Sequence, residues 1–386
     1  MSASSDRTPG LGTALAGAAA TCAGNGLSRF AYVPLFPAMV AAQWVDGGEA
    51  GLLGAVNLTG YLTGALGAAR VARRIGVPRA LDLGMALVVL SFAACAWNGG
   101  LAWLALWRGV AGLAGGVLMG LAGPAVQSVV AVRRRGLAGG VVIGGVAGGI
   151  VTASLLVPLF LRTGVALAWL ALAALALALW LAARPAWPRP AALSPHAAAL
   201  PVAPARLLVF AYALSGAGLV APMLYLADLA ARGRGWGIGA GALCWTLFGL
   251  GGLAGTLSGG AASDRFGGMR AFVAWLALQV AALGLLLWPV TPALVAGAAL
   301  SGFVGVGVTS VLLNVARDRA GAQAGVIFVR ATVGFGLAQA AMGFVLAALF
   351  AATDESHAAV FGACLVLSLA ALLAGLADFR ATRATS

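Results

Sequence analysis

Residues 73–80 read RRIGVPRA and residues 264–271 read DRFGGMRA, two basic turns 191 positions apart in a chain of 386, each flanked by long apolar runs. The echo continues away from the turns. Gly26-Leu27 is matched by Gly218-Leu219, and RGVAG at 108–112 is matched by SGFVG at 301–305. A repeat half a chain long and made of apolar spans predicts a duplicated bundle, in which two related halves can rock about a site held between them.

Composition sets the solvent. Hydrophobic residues make up 62% of the chain and charged residues 9%, too few charges to cover the surface of a water-soluble protein of this length. Apolar runs long enough to cross roughly 30 Å of hydrocarbon as helices recur near residues 12–42, 49–69, 79–97, 100–131, 137–161, 164–183, 205–231, 237–262, 271–289, 292–316, 322–351 and 357–379. They lack the two-residue alternation of a barrel strand and are far longer, which excludes a large β-barrel. The expectation is an all-α membrane protein with twelve transmembrane helices in two pseudo-symmetric six-helix bundles. Residues 184–206, RPAWPRPAALSPHAAALPVAPAR, concentrate six prolines and three arginines and cannot continue a span. The expected organisation is an N-terminal bundle 1–183, a cytoplasmic linker 184–204 and a C-terminal bundle 205–386.

The net charge of +13 is carried by 23 basic residues, all arginine. With a cytoplasmic N-terminus, 17 of the 23 fall on tails and loops of the cytoplasmic side, from Arg7 through Arg70, Arg133, Arg184 and Arg265 to Arg383. The opposite loops carry Arg162, Arg232 and Arg234 against Asp46, Glu49, Asp228, Asp354 and Glu355. That asymmetry is the positive-inside pattern and places both termini in the cytoplasm. The arginines form no patch interleaved with aromatics, so nucleic acid is not an expected partner, and the excess charge serves topology and contact with anionic lipid.

The remaining chemistry excludes more than it includes. Cys22, Cys95, Cys244 and Cys364 stand singly in four spans, and His196 and His357 have no ligand or nucleophile nearby in sequence, so neither a metal site nor an enzyme is expected. The first apolar run is too long for a signal-peptide core and should stay as an uncleaved helix. There is no G-x-x-x-x-G-K-[ST] loop and no lysine, which leaves an ion or substrate gradient, a proton for instance, as the energy source. No cofactor is expected, and the working unit is expected to be a monomer.

The turn between the eighth and ninth spans, with Gly260, Asp264, Arg265, Gly267 and Arg270, resembles the loop signature of the major facilitator superfamily. The resemblance covers essentially the whole chain. GLSRFAYVPLFPAM at 26–39 and GLLGAVNLTGYLTGAL at 51–66 further resemble the bacterial YbfB/YjiJ-like branch, whose members are mostly of unassigned substrate. The first-half turn departs from the signature, with Arg73 in place of Asp and Ala69 in place of Gly. A carboxylate latch therefore carries over only to Asp264, with a neighbouring helix N-terminus, Arg317 or Arg319 as its partner. Arg265 and Arg270 can equally serve topology alone. GVVIGGVAGG at 140–149 resembles the antiporter signature of the superfamily with Gly145 in place of its proline, which would favour export, although such glycines commonly just permit close packing.

Three arginines fall inside spans: Arg29, Arg108 and Arg330. Guanidinium does not deprotonate, a buried charge at mid-membrane costs roughly 2.5–3.5 kcal/mol or more, and no carboxylate lies deep in any span. The counter-charge can arrive with a small-molecule cargo, which would then be an organic anion held by a bidentate guanidinium, or each arginine can bond to carbonyls at helix breaks. The second alternative suits Arg108, which stands beside a glycine-rich run. Asn25, Arg29, Tyr32 and Phe36 recur at helical spacing, and Asn57 with Tyr61 form an i, i+4 pair, so the expected substrate site is Arg29 with Asn25, Tyr32, Asn57 and Tyr61, and with Arg108 and Arg330 within reach of the same cavity. The chain is read as a secondary transporter working by alternating access. The alternatives are an exporter of neutral or cationic hydrophobic compounds, for which an intramembrane carboxylate would be the expected feature, and a non-transporting membrane sensor or scaffold.

Overall fold

The computed structural model describes residues 10–189 and 205–384. The interior of the 184–204 linker, including His196, lies outside the described residues, as does Arg7. Among the described residues the chain is helical throughout, with fifteen α-helices: α1 Leu11–Thr21, α2 Tyr32–Ala41, α3 Gly47–Ile75, α4 Val77–Cys95, α5 Leu101–Val129, α6 Arg135–Leu161, α7 Val165–Ala183, α8 Arg206–Gly218, α9 Val220–Leu224, α10 Leu226–Asp228, α11 Gly237–Phe266, α12 Gly268–Leu287, α13 Thr291–Ala320, α14 Ala324–Ala352 and α15 His357–Ala384. Ten of these are long and apolar enough to cross a membrane.

The two basic turns are tighter than the sequence suggests. Helix α3 runs through Arg73 and Arg74 to Ile75, and α11 runs through Asp264 and Arg265 to Phe266. Each then reverses on a single glycine, Gly76 at φ 83°, ψ 152° and Gly267 at φ 87°, ψ 142°. Only glycine holds that backbone without strain. The repeat seen in sequence is therefore a repeat of backbone conformation at the same 191-residue offset.

Small residues let paired helices touch backbone to backbone. Helices α3 and α5 run side by side with Gly64 against Leu113 and Gly112 against Asn57; a Cβ at Gly64 would sit 2.0 Å from the Leu113 carbonyl oxygen, and one at Gly112 would sit 2.1 Å from that of Asn57. Helices α11 and α13 repeat the arrangement, with Gly255 on Phe303 and Gly302 on Phe248, where a Cβ would meet carbonyl oxygens at 1.9 and 1.8 Å.

Two segments that the sequence presents as continuous spans are broken. Residues 11–41 consist of α1, a π-helical turn Cys22–Leu27, an irregular stretch and α2. Residues 206–233 consist of α8, α9, α10 and a second π-helical turn, Leu229–Gly233. Pro34 and Pro222 lie just beyond the two irregular points, where a missing N–H and a ring in place of a free amide prevent a regular ladder.

Helices α3 and α14 bring the two described stretches together antiparallel. Gly51 packs by Tyr225 and Ala347, Gly343 by Ala55, and Gly336 by Leu62. On the face opposite the chain ends, hereafter the distal face, the Gly47 amide donates to Glu355 Oε1 at 2.6 Å. On the terminal face the chain ends of the second stretch are tied internally, Arg319 pairing with Asp378.

Replacing Gly255 by Val is expected to destabilise the purified protein by about 1–3 kcal/mol, because the side chain must displace the Phe303 carbonyl. Gly67→Val, where a Cβ would meet nothing within 4 Å, should stay within about 0.5 kcal/mol of the parent. Thermal unfolding of both variants in one detergent checks the difference.

Candidate substrate site

The break in the first segment is the origin of the site. The π-helical turn makes the Ser28 amide donate to Ala23 and the Phe30 amide to Asn25, each five residues back. The Ser28 carbonyl leaves the ladder and turns sideways. Arg108 Nη1 donates to it at 2.8 Å, and Asn57 Nδ2, which bonds the Arg108 carbonyl at 2.9 Å, approaches it at 3.4 Å. Arg108 is fully buried, with its guanidinium carbon 4.4 Å from the Tyr32 ring centroid and 5.8 Å from that of Trp169. Tyr32 is itself fixed by donating to the Ala50 carbonyl at 2.8 Å. These contacts make Arg108 and Asn57 a splint across the break, which is the helix-break alternative for Arg108.

The same break aims Arg29 the other way, across the molecule. Its Nη2 donates to Gln339 Oε1 at 3.0 Å and lies 3.7 Å from Met223 Sδ. The guanidinium carbon is 4.9 Å from the Phe30 centroid and 5.5 Å from that of Tyr61. Gln339 lies on α14 and Met223 on α9, within the second broken segment. Among the described residues Arg29 has no carboxylate partner.

Arg29, Tyr32, Asn57 and Arg108 of the first stretch, with Met223 and Gln339 of the second, line one cavity between the stretches. It leaves about 20 Å³ for water centres, the space of roughly one or two waters.

The sequence stripe is only partly kept. Arg29 and Tyr32 reach the cavity and Phe36 packs behind it, 5.4 Å from Tyr225. Asn25 does not line it. The π-helical turn carries Asn25 off the stripe, and its buried Oδ1 has no hydrogen-bond partner in the structure. Arg330 is exposed and does not line the cavity either; it precedes Gln339 by nine residues on α14, about 13 Å along the axis at the usual helical rise. Gln339 and Met223 were not legible as site residues in the sequence. The usable signal was a lone Gln in the apolar run of α14.

At the terminal face Asp264 is exposed and has neither a hydrogen bond nor an ion pair among the described residues. Arg319 is taken by Asp378, and the amide at the start of α12, Gly268, donates to Asp318 Oδ2 at 3.1 Å. Arg317 is exposed, as are Arg265 and Arg270, while Gly260 has open space around it. Two of the five glycines of 140–149, Gly145 and Gly149, are close-packing positions, while a Cβ at Gly140, Gly144 or Gly148 would meet nothing within 4 Å. A Cβ at Gly145 would sit 2.1 Å from the Ala18 carbonyl oxygen, and one at Gly149 would sit 2.7 Å from the Gly26 Cα, so this run is what lets α6 lie against the broken segment.

A family model described as "Uncharacterised MFS-type transporter YbfB" matches residues 21–375. The chain belongs to that family of the major facilitator superfamily. It is a multi-pass membrane protein of a transporter family. Its fold is similar to that of a mutant of the nucleoside transporter NupG, with a TM-score of 0.76 at 13% identity, covering 96% of this chain and 99% of that one. It is also similar to a mutant of a peptide transporter POT in complex with sulfate, with a TM-score of 0.73 at 16% identity, covering 93% of each chain. No curated protein matches the sequence.

Arg108→Ala should destabilise the protein by about 1–3 kcal/mol, since the Ser28 carbonyl is left without its main donor. Arg330→Ala should change stability by less than about 0.5 kcal/mol. Thermal unfolding in lipid nanodiscs measures both.

Proposed function

We propose that this protein is a secondary transporter of the bacterial inner membrane that carries a small organic anion by alternating access, and that Arg29 holds the anionic group. The two broken segments complete a set of twelve spans with the ten long helices, in bundles 1–183 and 205–386 joined by the cytoplasmic linker 184–204. Both termini are cytoplasmic, so the contacts at Gly47 close the periplasmic side and the state described is inward-facing.

One observation carries the assignment: a guanidinium at the junction of the two stretches, lining a cavity, whose polar partners are the neutral Gln339 and Met223. A permanent charge so placed is stabilised far better by a carboxylate than by an amide oxygen and a thioether. Arg108, by contrast, is committed to Ser28. The family match favours transport over a scaffold, and among the described residues no carboxylate lines the cavity, as an exporter of cations would require. Driving energy comes from an ion or substrate gradient.

Uptake and efflux in right-side-out and inverted vesicles against a panel of organic anions tests the proposal. For an anion that is moved, Arg29→Lys should lower kcat/KM by tenfold or more because the planar fork is lost, a difference of about 1.4 kcal/mol, and Arg29→Gln should abolish transport. Wild-type rates in both variants would make Arg29 a packing residue and remove the anion assignment.

The outward-facing state closes the terminal face, and there Asp264 meets Arg317, Arg319 or a helix N-terminus. Asp264→Asn is expected to slow turnover severalfold with membrane insertion unchanged. Equal turnover, measured per inserted molecule, rules the latch out.

A further inference from the structure

At the distal face a second charged cluster stands apart from the Arg29 cavity. Asp228, at the end of α10, is wholly buried and is clamped by Arg232, whose Nε and Nη2 donate to its two oxygens at 2.5 and 2.7 Å. The His357 Nε2 lies 2.8 Å from Asp228 Oδ2. Arg232 Nη1 reaches on to Glu355, and Glu355 Oε1 accepts the Gly47 amide, the first of α3. The chain His357–Asp228–Arg232–Glu355 thus belongs to the second stretch but ends on the first. Among the described residues its hydrogen-bonded link across the junction is a carboxylate on a backbone amide, at a glycine where a Cβ would sit 2.5 Å from the Glu355 carboxyl carbon, and the Arg232 guanidinium carbon lies 6.0 Å from the Phe36 ring centroid of the first stretch.

The charges here do not balance. Asp228 and Glu355 against Arg232 leave one negative charge when His357 is neutral, and a proton on His357 brings the four groups to zero. The other ionisable groups of the region tilt the balance the same way. Asp46 and Glu49 form a capping box at the start of α3, Asp354 precedes Glu355, and the further cations of this face are the exposed Arg162, at the end of α6, and Arg234, which donates to the carbonyls of Leu286 and Trp288. Glu355 of the second stretch is therefore pressed against the acidic start of α3. Closing such a junction concentrates negative charge in a partly desolvated place, which an added proton relieves. The proton has a route in: Arg232, Glu355 and His357 line a cavity of about 480 Å³ at this face.

The geometry points to a proton-binding site at His357, held by Asp228, whose occupancy tightens closure of the distal face. Imidazole changes charge in the range where cells hold pH differences. A protonated His357 stabilises the closed face; loss of the proton leaves the junction with excess negative charge and favours opening. A proton arriving from the distal side thereby drives the protein toward the state open at the terminal face. The site is independent of the cargo's charge and requires only that the distal face opens and closes.

The test uses the full chain in nanodiscs with spin labels at Trp97→Cys and Trp288→Cys, both exposed at the distal ends of α4 and α12, and electron–electron distance measurements from pH 5.5 to 8. The ratio of open to closed distal face should rise by about threefold or more as pH rises. His357→Gln should flatten the profile. Its folding is checked by the label distances at pH 5.5, which should still include the closed peak. A flat profile in the parent overturns the proposal. So does a profile that persists in His357→Gln, which would assign the titration to Asp228 or Glu355.

Discussion

A carbonyl released from a helix inside a bilayer has no water to accept from, so it must find a donor on another helix or the break cannot persist. At Ser28 that donor is Arg108, with Asn57 beside it. The rest of the site follows from this contact. It holds the first segment open between α1 and α2, it fixes Tyr32 under a guanidinium, and it leaves Arg29 facing away from its own helices, toward Gln339 and Met223. The two arginines that look alike in sequence are placed differently: one is committed to backbone, the other reaches across the junction to neutral side chains.

The second stretch has a neutral network beside its own break, where the Ser215 carbonyl keeps its bond from the Leu219 amide at 3.1 Å. Gln279 of α12 donates to the Ser215 carbonyl at 3.0 Å and to Ser368 Oγ at 2.8 Å, and accepts from Ser215 Oγ at 2.7 Å, next to the break at Gly218. Ser301, which the repeat places opposite Arg108, supplies no such bond. The duplication therefore keeps the architecture of glycine turns and glycine contacts while the polar fittings of each half have diverged. At the Arg29 cavity charge is confined to the first half, and the second half meets it with the neutral Gln339 and Met223.

Much of the fold was legible because it rests on local rules. Long apolar runs and the single glycines at 76 and 267 can be read from any window of the chain, and the repeat offset follows from them. The breaks were not legible, since GNGLSRFAYVP fits a helical stripe as long as the period is taken as 3.6, and a π-helical turn changes the period by one residue within it. That is why Asn25 leaves the cavity while Arg29 and Tyr32 stay. Gln339 was missed for a different reason: it is 310 positions from Arg29, and only the packing of α14 against α3 brings them together. The distal cluster shows both cases, because Asp228 and Arg232 are an i, i+4 pair visible in sequence, whereas Glu355 and His357 join it only through the fold.

The central claim is that the two halves move reciprocally about the junction at Arg29. Two label pairs related by the repeat measure this directly: Trp97 with Trp288 at the distal face and Arg79 with Arg270 at the terminal face, recorded by electron–electron distance measurements under the same series of conditions. The account predicts that every condition which lengthens the distal distance shortens the terminal one. Distances that lengthen together, or a terminal pair that stays fixed while the distal pair moves, would contradict it.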